Sequence, residues 1–117
     1  MDNSDILQGL TPTGYKFGVK FQMETFNEER INKIRVFIRL YFTPTKNVNL
    51  NTAPAYNIKH YIEKSIYARE LGIGYVGCGE LIYAMYLEGY KIKRVDNNAY
   101  FNISSKSVKI LNESKAY

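Results

Sequence analysis

Tryptophan is absent from this 117-residue sequence, and cysteine and histidine occur once each, as Cys78 and His60. A single cysteine excludes an internal disulfide, which fits a reducing compartment and argues against a small disulfide-stapled secreted scaffold. One Cys and one His cannot complete a structural zinc site without carboxylates or a second chain. Apolar runs are short. Runs such as Val36-Phe37-Ile38 fall far short of the roughly 20 residues a membrane-spanning helix needs. The opening Met1-Asp2-Asn3-Ser4-Asp5 is polar and acidic, unlike a secretory signal, so an intracellular protein with no membrane contact is expected. Paired carboxylates are missing too. Glu24, Glu28 and Glu29 crowd one polar stretch, while Glu63, Glu80 and Glu88 are scattered. Neither a hydrolase dyad nor a metal-dependent nuclease centre is expected from them.

What is present is positive charge and tyrosine. Sixteen Lys+Arg face eleven Asp+Glu, giving a net charge of +5, and eleven tyrosines accompany six phenylalanines. A basic surface favours polyanionic partners. Tyrosine offers a stacking face and a hydroxyl at low rotamer cost, which suits wet interfaces with protein or nucleic acid. The same composition also follows from an A/T-rich gene, so it carries weight only where the residues gather. A hydrophobic content of 45% is enough for the core of one domain spanning residues 1–117.

The expected fold class is α+β, two antiparallel hairpins forming one sheet against two central helices, with a short C-terminal helix. Residues 1–13 read as a loose lead-in and 14–42 as the first hairpin. Tyr15, Phe17, Val19, Phe21 and Met23 alternate with polar positions, and so do Ile34, Val36, Ile38, Leu40 and Phe42, with a turn at Asn27-Glu28-Glu29-Arg30. An aperiodic loop reaches Thr52. Residues 53–117 read as helix, helix, hairpin, helix. The first helix opens at Ala53-Pro54-Ala55 and ends at Leu71-Gly72, and the second runs from Gly79 to Glu88 and stops at Gly89. A hairpin turns at Asp96-Asn97-Asn98, and Ser104 or Ser105 caps the last helix, anchored by Val108 and Leu111.

Gly72-Ile73-Gly74-Tyr75-Val76-Gly77 spells the dinucleotide pattern G-x-G-x-x-G. That mechanism needs a strand before the glycines, and a helix is expected there, so the string reads as an interhelical turn and no cofactor is expected. Cys78 and His60 would serve a thiol enzyme only if they met in space. The stronger pattern is the basic-aromatic face. On the first hairpin, Lys16, Lys20, Arg35, Phe37, Arg39 and Tyr41 would share the side away from the core. On the second, Lys91, Lys93 and Arg94 recur with Tyr90 and Tyr100. Cations with rings between them grip a phosphate backbone and stack bases, though edge lysines also serve simply to keep a sheet soluble. A winged-helix arrangement fits the element order, but Glu80–Glu88 has no basic residue with which to read bases.

Residues 56–103 resemble a pattern in short proteins of bacterial phages and mobile elements. The matching pieces are Tyr56-Asn57-Ile58-Lys59-His60 with Glu63, Tyr75-Val76 with Gly79, Leu81 and Ile82, Gly89-Tyr90-Lys91-Ile92-Lys93, and Asn98-Ala99-Tyr100-Phe101-Asn102-Ile103. Gly77-Cys78 stands where such proteins show a polar dipeptide. The resemblance implies a context and no activity: a small accessory protein acting in the cytoplasm of a bacterial host. In that context the expectation is a non-enzymatic binder of nucleic acid or a nucleoprotein, including inhibition of a host defence nuclease such as a CRISPR effector. A protein-interaction or self-assembling module is the alternative, and a Cys/His-dependent enzyme a third.

Overall fold

The computed structural model describes residues 4–115; the expectations for residues 1–3 of the lead-in and 116–117 of the tail fall outside them. A single turn, α1 (Ser4–Leu7), leads into a minimal hairpin of β1 (Leu10–Thr11) and β2 (Gly14–Tyr15), with Leu10 opposite Tyr15. The expected nine-residue strand stops there. Gly18 takes a left-handed φ of +77°, and Phe17, Val19 and Met23 lie exposed instead of forming a buried face. Alternation in the sequence had no core to meet.

The second expected strand is a helix, α2 (Glu28–Tyr41). The Asn27 side chain accepts the Arg30 N–H at 3.0 Å, Glu28 and Glu29 occupy the first turn, and Arg39 the last. These are a capped N-terminus and charges that complement the helix dipole. Ile31, Ile34, Phe37 and Ile38 are buried at helical spacing, so the period-two reading of 34–42 is corrected to a period near 3.6.

The long helix expected from residue 53 is two pieces, α3 (Ala55–Lys64) and α4 (Ile66–Glu70). Buried Ser65 breaks it. Its hydroxyl donates to the Ile62 carbonyl at 2.9 Å and accepts from the Ala68 N–H at 3.1 Å, ending one helix and capping the next. The glycine-rich stretch then leads to α5 (Cys78–Leu87), whose residues from Cys78 to Met85 are all buried. A helix buried on nearly every side, with Glu80 as its one charged residue, belongs at the centre of a core. It packs against α2, α3 and the β1–β2 hairpin. Gly77 and Gly79 permit that last contact, since a Cβ at either would strike the Pro12 or Thr11 carbonyl oxygen. The Pro12 carbonyl also accepts the Glu80 N–H at 3.1 Å.

The second hairpin forms as expected. β3 (Ile92–Val95) pairs with β4 (Asn98–Phe101), Val95 opposite Asn98, and Asp96 takes a left-handed φ of +55° that Asp tolerates in turns. Ala99 and Phe101 bury one face. The loop before α3 is stitched to the end of β4. Asn102 donates to the Thr45 carbonyl at 2.7 Å, and Asn49 to the Ile103 carbonyl at 3.0 Å. Ser104 caps α6 (Ser105–Glu113), which buries Val108 and Leu111. The class is α+β, but the described strands form two separate two-stranded ladders rather than one sheet.

Candidate nucleic-acid interface

Just after β2 the chain turns back on itself. The Lys16 N–H donates to the Gly9 carbonyl at 2.8 Å, and the turn at Phe17-Gly18 throws the Phe17 ring wholly into solvent. The turn walls an open cleft of about 830 Å³, whose apolar lining is Leu7, Phe17, Val19 and Phe21. Lys16, Lys20 and Arg94 line it as cations, against Asp5 as the acid.

Arg94 is held from below. Its guanidinium lies 3.8 Å from the centroid of the Tyr15 ring, Nη1 donates to the Gln8 carbonyl at 2.9 Å, and Nε to the Asp96 carbonyl at 3.1 Å. Burial pushes the Tyr15 phenol up to about 12, with the Arg94 charge acting against it. Tyr15 therefore stays protonated and donates to the Ile6 carbonyl at 2.7 Å. The guanidinium carries five N–H donors, and the fixed contacts leave others for a ligand. A phosphate between the preset Arg94 fork and the two lysines would meet converging positive charge. A base would find the open face of Phe17 beside it.

Structure redistributes the sequence-derived site. Lys16, Lys20 and Arg94, assigned to different hairpins, come together in this cleft. Lys93 and Tyr100 sit directly opposite each other across the β3–β4 ladder. The Lys91 ammonium donates to the Lys46 carbonyl at 2.6 Å, and burial raises the half-buried Tyr90 phenol.

The α2 residues are a correction. Phe37 is fully buried, not exposed, and its ring packs on Tyr41 and Phe42 at 4.9 and 5.8 Å between centroids. Tyr41 stacks on Tyr67 at 4.3 Å. Arg35 Nε lies 2.6 Å from Glu88 Oε2, and Arg39 Nε 3.7 Å from Oε1 of the same carboxylate. Nearby, Arg30 makes a two-point pair with buried Glu80, at 2.7 Å to each oxygen. A helix turns these residues by about 100° per position, so residues that would alternate on a strand part company.

A second cluster escaped the sequence reading as a site. Lys59 is buried, with its ammonium 4.8 Å from the Tyr75 ring centroid, 5.8 Å from that of Tyr56 and 3.6 Å from Glu63 Oε2. His60 Nδ1 lies 3.1 Å from Glu63 Oε1, and the Val76 N–H donates to Glu63 Oε2 at 2.8 Å. The spacing of Tyr56, Lys59, His60 and Glu63 on one helical face was its signal. Cys78 is buried, and desolvation raises its thiol, with Lys59 pulling it partly back. His60 is engaged by Glu63 and Tyr56, and among the described residues no hydrogen bond joins it to Cys78. The G-x-G-x-x-G string follows α4 rather than a strand, as expected of an interhelical turn.

Among the described residues no three His, Cys, Asp or Glu side chains gather to hold a metal, and no helix is long and apolar enough to cross a membrane. Comparison with family models, curated proteins and solved structures gives no match to this chain.

Proposed function

We propose that this chain is a non-enzymatic accessory protein of a phage or mobile element that binds nucleic acid through the Phe17 cleft. The observation that carries the reading is a fully exposed phenylalanine ring in a cleft lined by Lys16, Lys20 and Arg94. Water gains nothing from an exposed ring, whereas a base can stack on it while cations take the phosphates. The extension to a host setting is that the bound nucleic acid is part of a nucleoprotein, such as a defence nuclease, which the chain inhibits in the bacterial cytoplasm. Affinity capture from host lysate, with and without nuclease treatment, tests it. Recovery of nucleic acid by the native chain, lost in Phe17→Ala/Lys16→Glu, supports the reading; equal recovery by both overturns it.

A protein-interaction module is favoured by one different observation. Met23, Phe26, Ile31, Tyr83 and Leu87 form the apolar wall of a groove of about 360 Å³ on the α2 side, with Glu24, Glu28, Asn32 and Arg35 also lining it, and Met23 is largely exposed. Partner capture that survives nuclease and is lost in Met23→Asp would favour that reading.

A further inference from the structure

We propose that the Phe17 cleft is one end of a longer track for single-stranded nucleic acid, with a second stacking point at Tyr56 and Tyr75 around Lys59. The proposal rests on the reading of the cleft as a nucleic-acid site and adds the strandedness and the path of the ligand.

Tyr56 in the first turn of α3 and Tyr75 in the glycine-rich loop are both more than half exposed, at 53% and 58%. Between them sits the Lys59 ammonium. It carries three N–H donors, yet among the described residues no acceptor lies within hydrogen-bond reach, the nearest carboxylate oxygen being at 3.6 Å. A phosphate oxygen is the acceptor that would complete it. Glu63, the acid beside it, also accepts the Val76 N–H through Oε2 at 2.8 Å and lies 3.1 Å from His60 Nδ1 through Oε1. The His60 and Tyr56 rings meet edge to face at 4.6 Å between centroids, and Arg30 of α2 lies 5.9 Å from the Tyr75 centroid. Rings and cations thus alternate again, on elements unrelated to the first cleft.

The two sites are joined by the β3–β4 hairpin. Arg94 of the cleft pairs across the ladder with Ala99, and its neighbour Asn98 accepts the Tyr56 N–H through Oδ1 at 3.1 Å. Ring sites separated by a hairpin suit a strand whose bases are splayed apart. A duplex hides its base faces in its own stack and offers phosphates and groove edges instead.

The test uses the full-length chain with a fluorescent oligothymidylate of about 4 nucleotides, which occupies the cleft alone, and one of about 16, which reaches further, lengths within the range of known single-strand sites. Tyr56→Ala/Tyr75→Ala is expected to weaken the long strand about tenfold or more and leave the short one unchanged, with a duplex of equal length bound more weakly than the long strand. Photocrosslinking of the native chain to a 5-iodouracil-substituted long strand should place adducts on Tyr56 or Tyr75, a readout independent of how the variant folds. If Phe17→Ala weakens the long strand but the double variant does not, and adducts stay at residues 16–21, the track is overturned while the cleft stands. If the native chain binds neither strand, the cleft reading falls and takes the track with it.

Discussion

Helix α2 and the Phe17 cleft carry the same chemistry with opposite fates. Each has two or more cations with phenylalanine among them: Arg35, Phe37 and Arg39 in one, Lys16, Phe17, Lys20 and Arg94 in the other. On α2 the ring is buried and both arginines lean on Glu88, a carboxylate supplied by the residue that closes the central helix. In the cleft the ring is exposed, and the cations line an open space with Asp5 as the acid. A basic-aromatic string is therefore either packed away or left open to solvent, and neighbours in space decide which.

The largest separation between the two regions should come from their phenylalanines. Phe37→Ala removes a fully buried ring and should cost about 3–5 kcal/mol of stability by chemical denaturation. Phe17→Ala should leave stability within about 0.5 kcal/mol and instead weaken single-strand binding by about 1–3 kcal/mol in fluorescence anisotropy. Reversal of those two outcomes would break the comparison.

Charge gives the next effect. Lys16→Glu/Lys20→Glu should reduce affinity at low salt by more than tenfold, whereas Arg35→Gln/Arg39→Gln should leave it within about twofold. Glu88→Gln sharpens the contrast by freeing the two α2 arginines. It should cost about 1–2 kcal/mol of stability, because a partly buried pair loses its acid, and should add little affinity, since neither arginine lines the Phe17 cleft.

The smallest effect is alkaline. Tyr15 has a folded-state pKa raised above its unfolded value, so the folded chain holds its proton where the unfolded chain has lost it. That stability is fully present below about pH 10, the ordinary tyrosine value, and is lost as pH rises toward about 12. Thermal melts between those limits should show a falling Tm, less steep in Tyr15→Phe.

How far the sequence could be read follows from the same contrast. The second hairpin, α6 and its Ser104 cap, the end of α5 at Gly89 and the place of the glycine string between two helices were legible, because each depends on local turn and cap chemistry. The first hairpin was misread. Residues 34–42 satisfy a period of two, and only by including Ile31 and treating Asn27-Glu28-Glu29 as a cap does the helical period emerge. Ser65 falls inside the helix expected from Ala53 to Leu71, but its hydroxyl competes for the backbone and breaks that helix. For the site, Lys16, Lys20 and Arg94 were visible as cations, but their convergence depends on Arg94 seating over Tyr15, a contact between residues 79 positions apart in sequence. Phe17 falls on the expected core face by its alternation, but Gly18 after it takes a left-handed φ of +77° that extended strand backbone does not adopt.

The most direct test is the salt dependence of single-strand binding. If Lys16, Lys20 and Arg94 neutralise three phosphates, log affinity should fall against log salt with a slope of about −2 on a single strand. That slope should drop to roughly −1.4 in Arg94→Gln and stay unchanged in Arg35→Gln. A flat salt response, or a slope lost through Arg35 and kept without Arg94, would contradict the assignment of binding to the cleft.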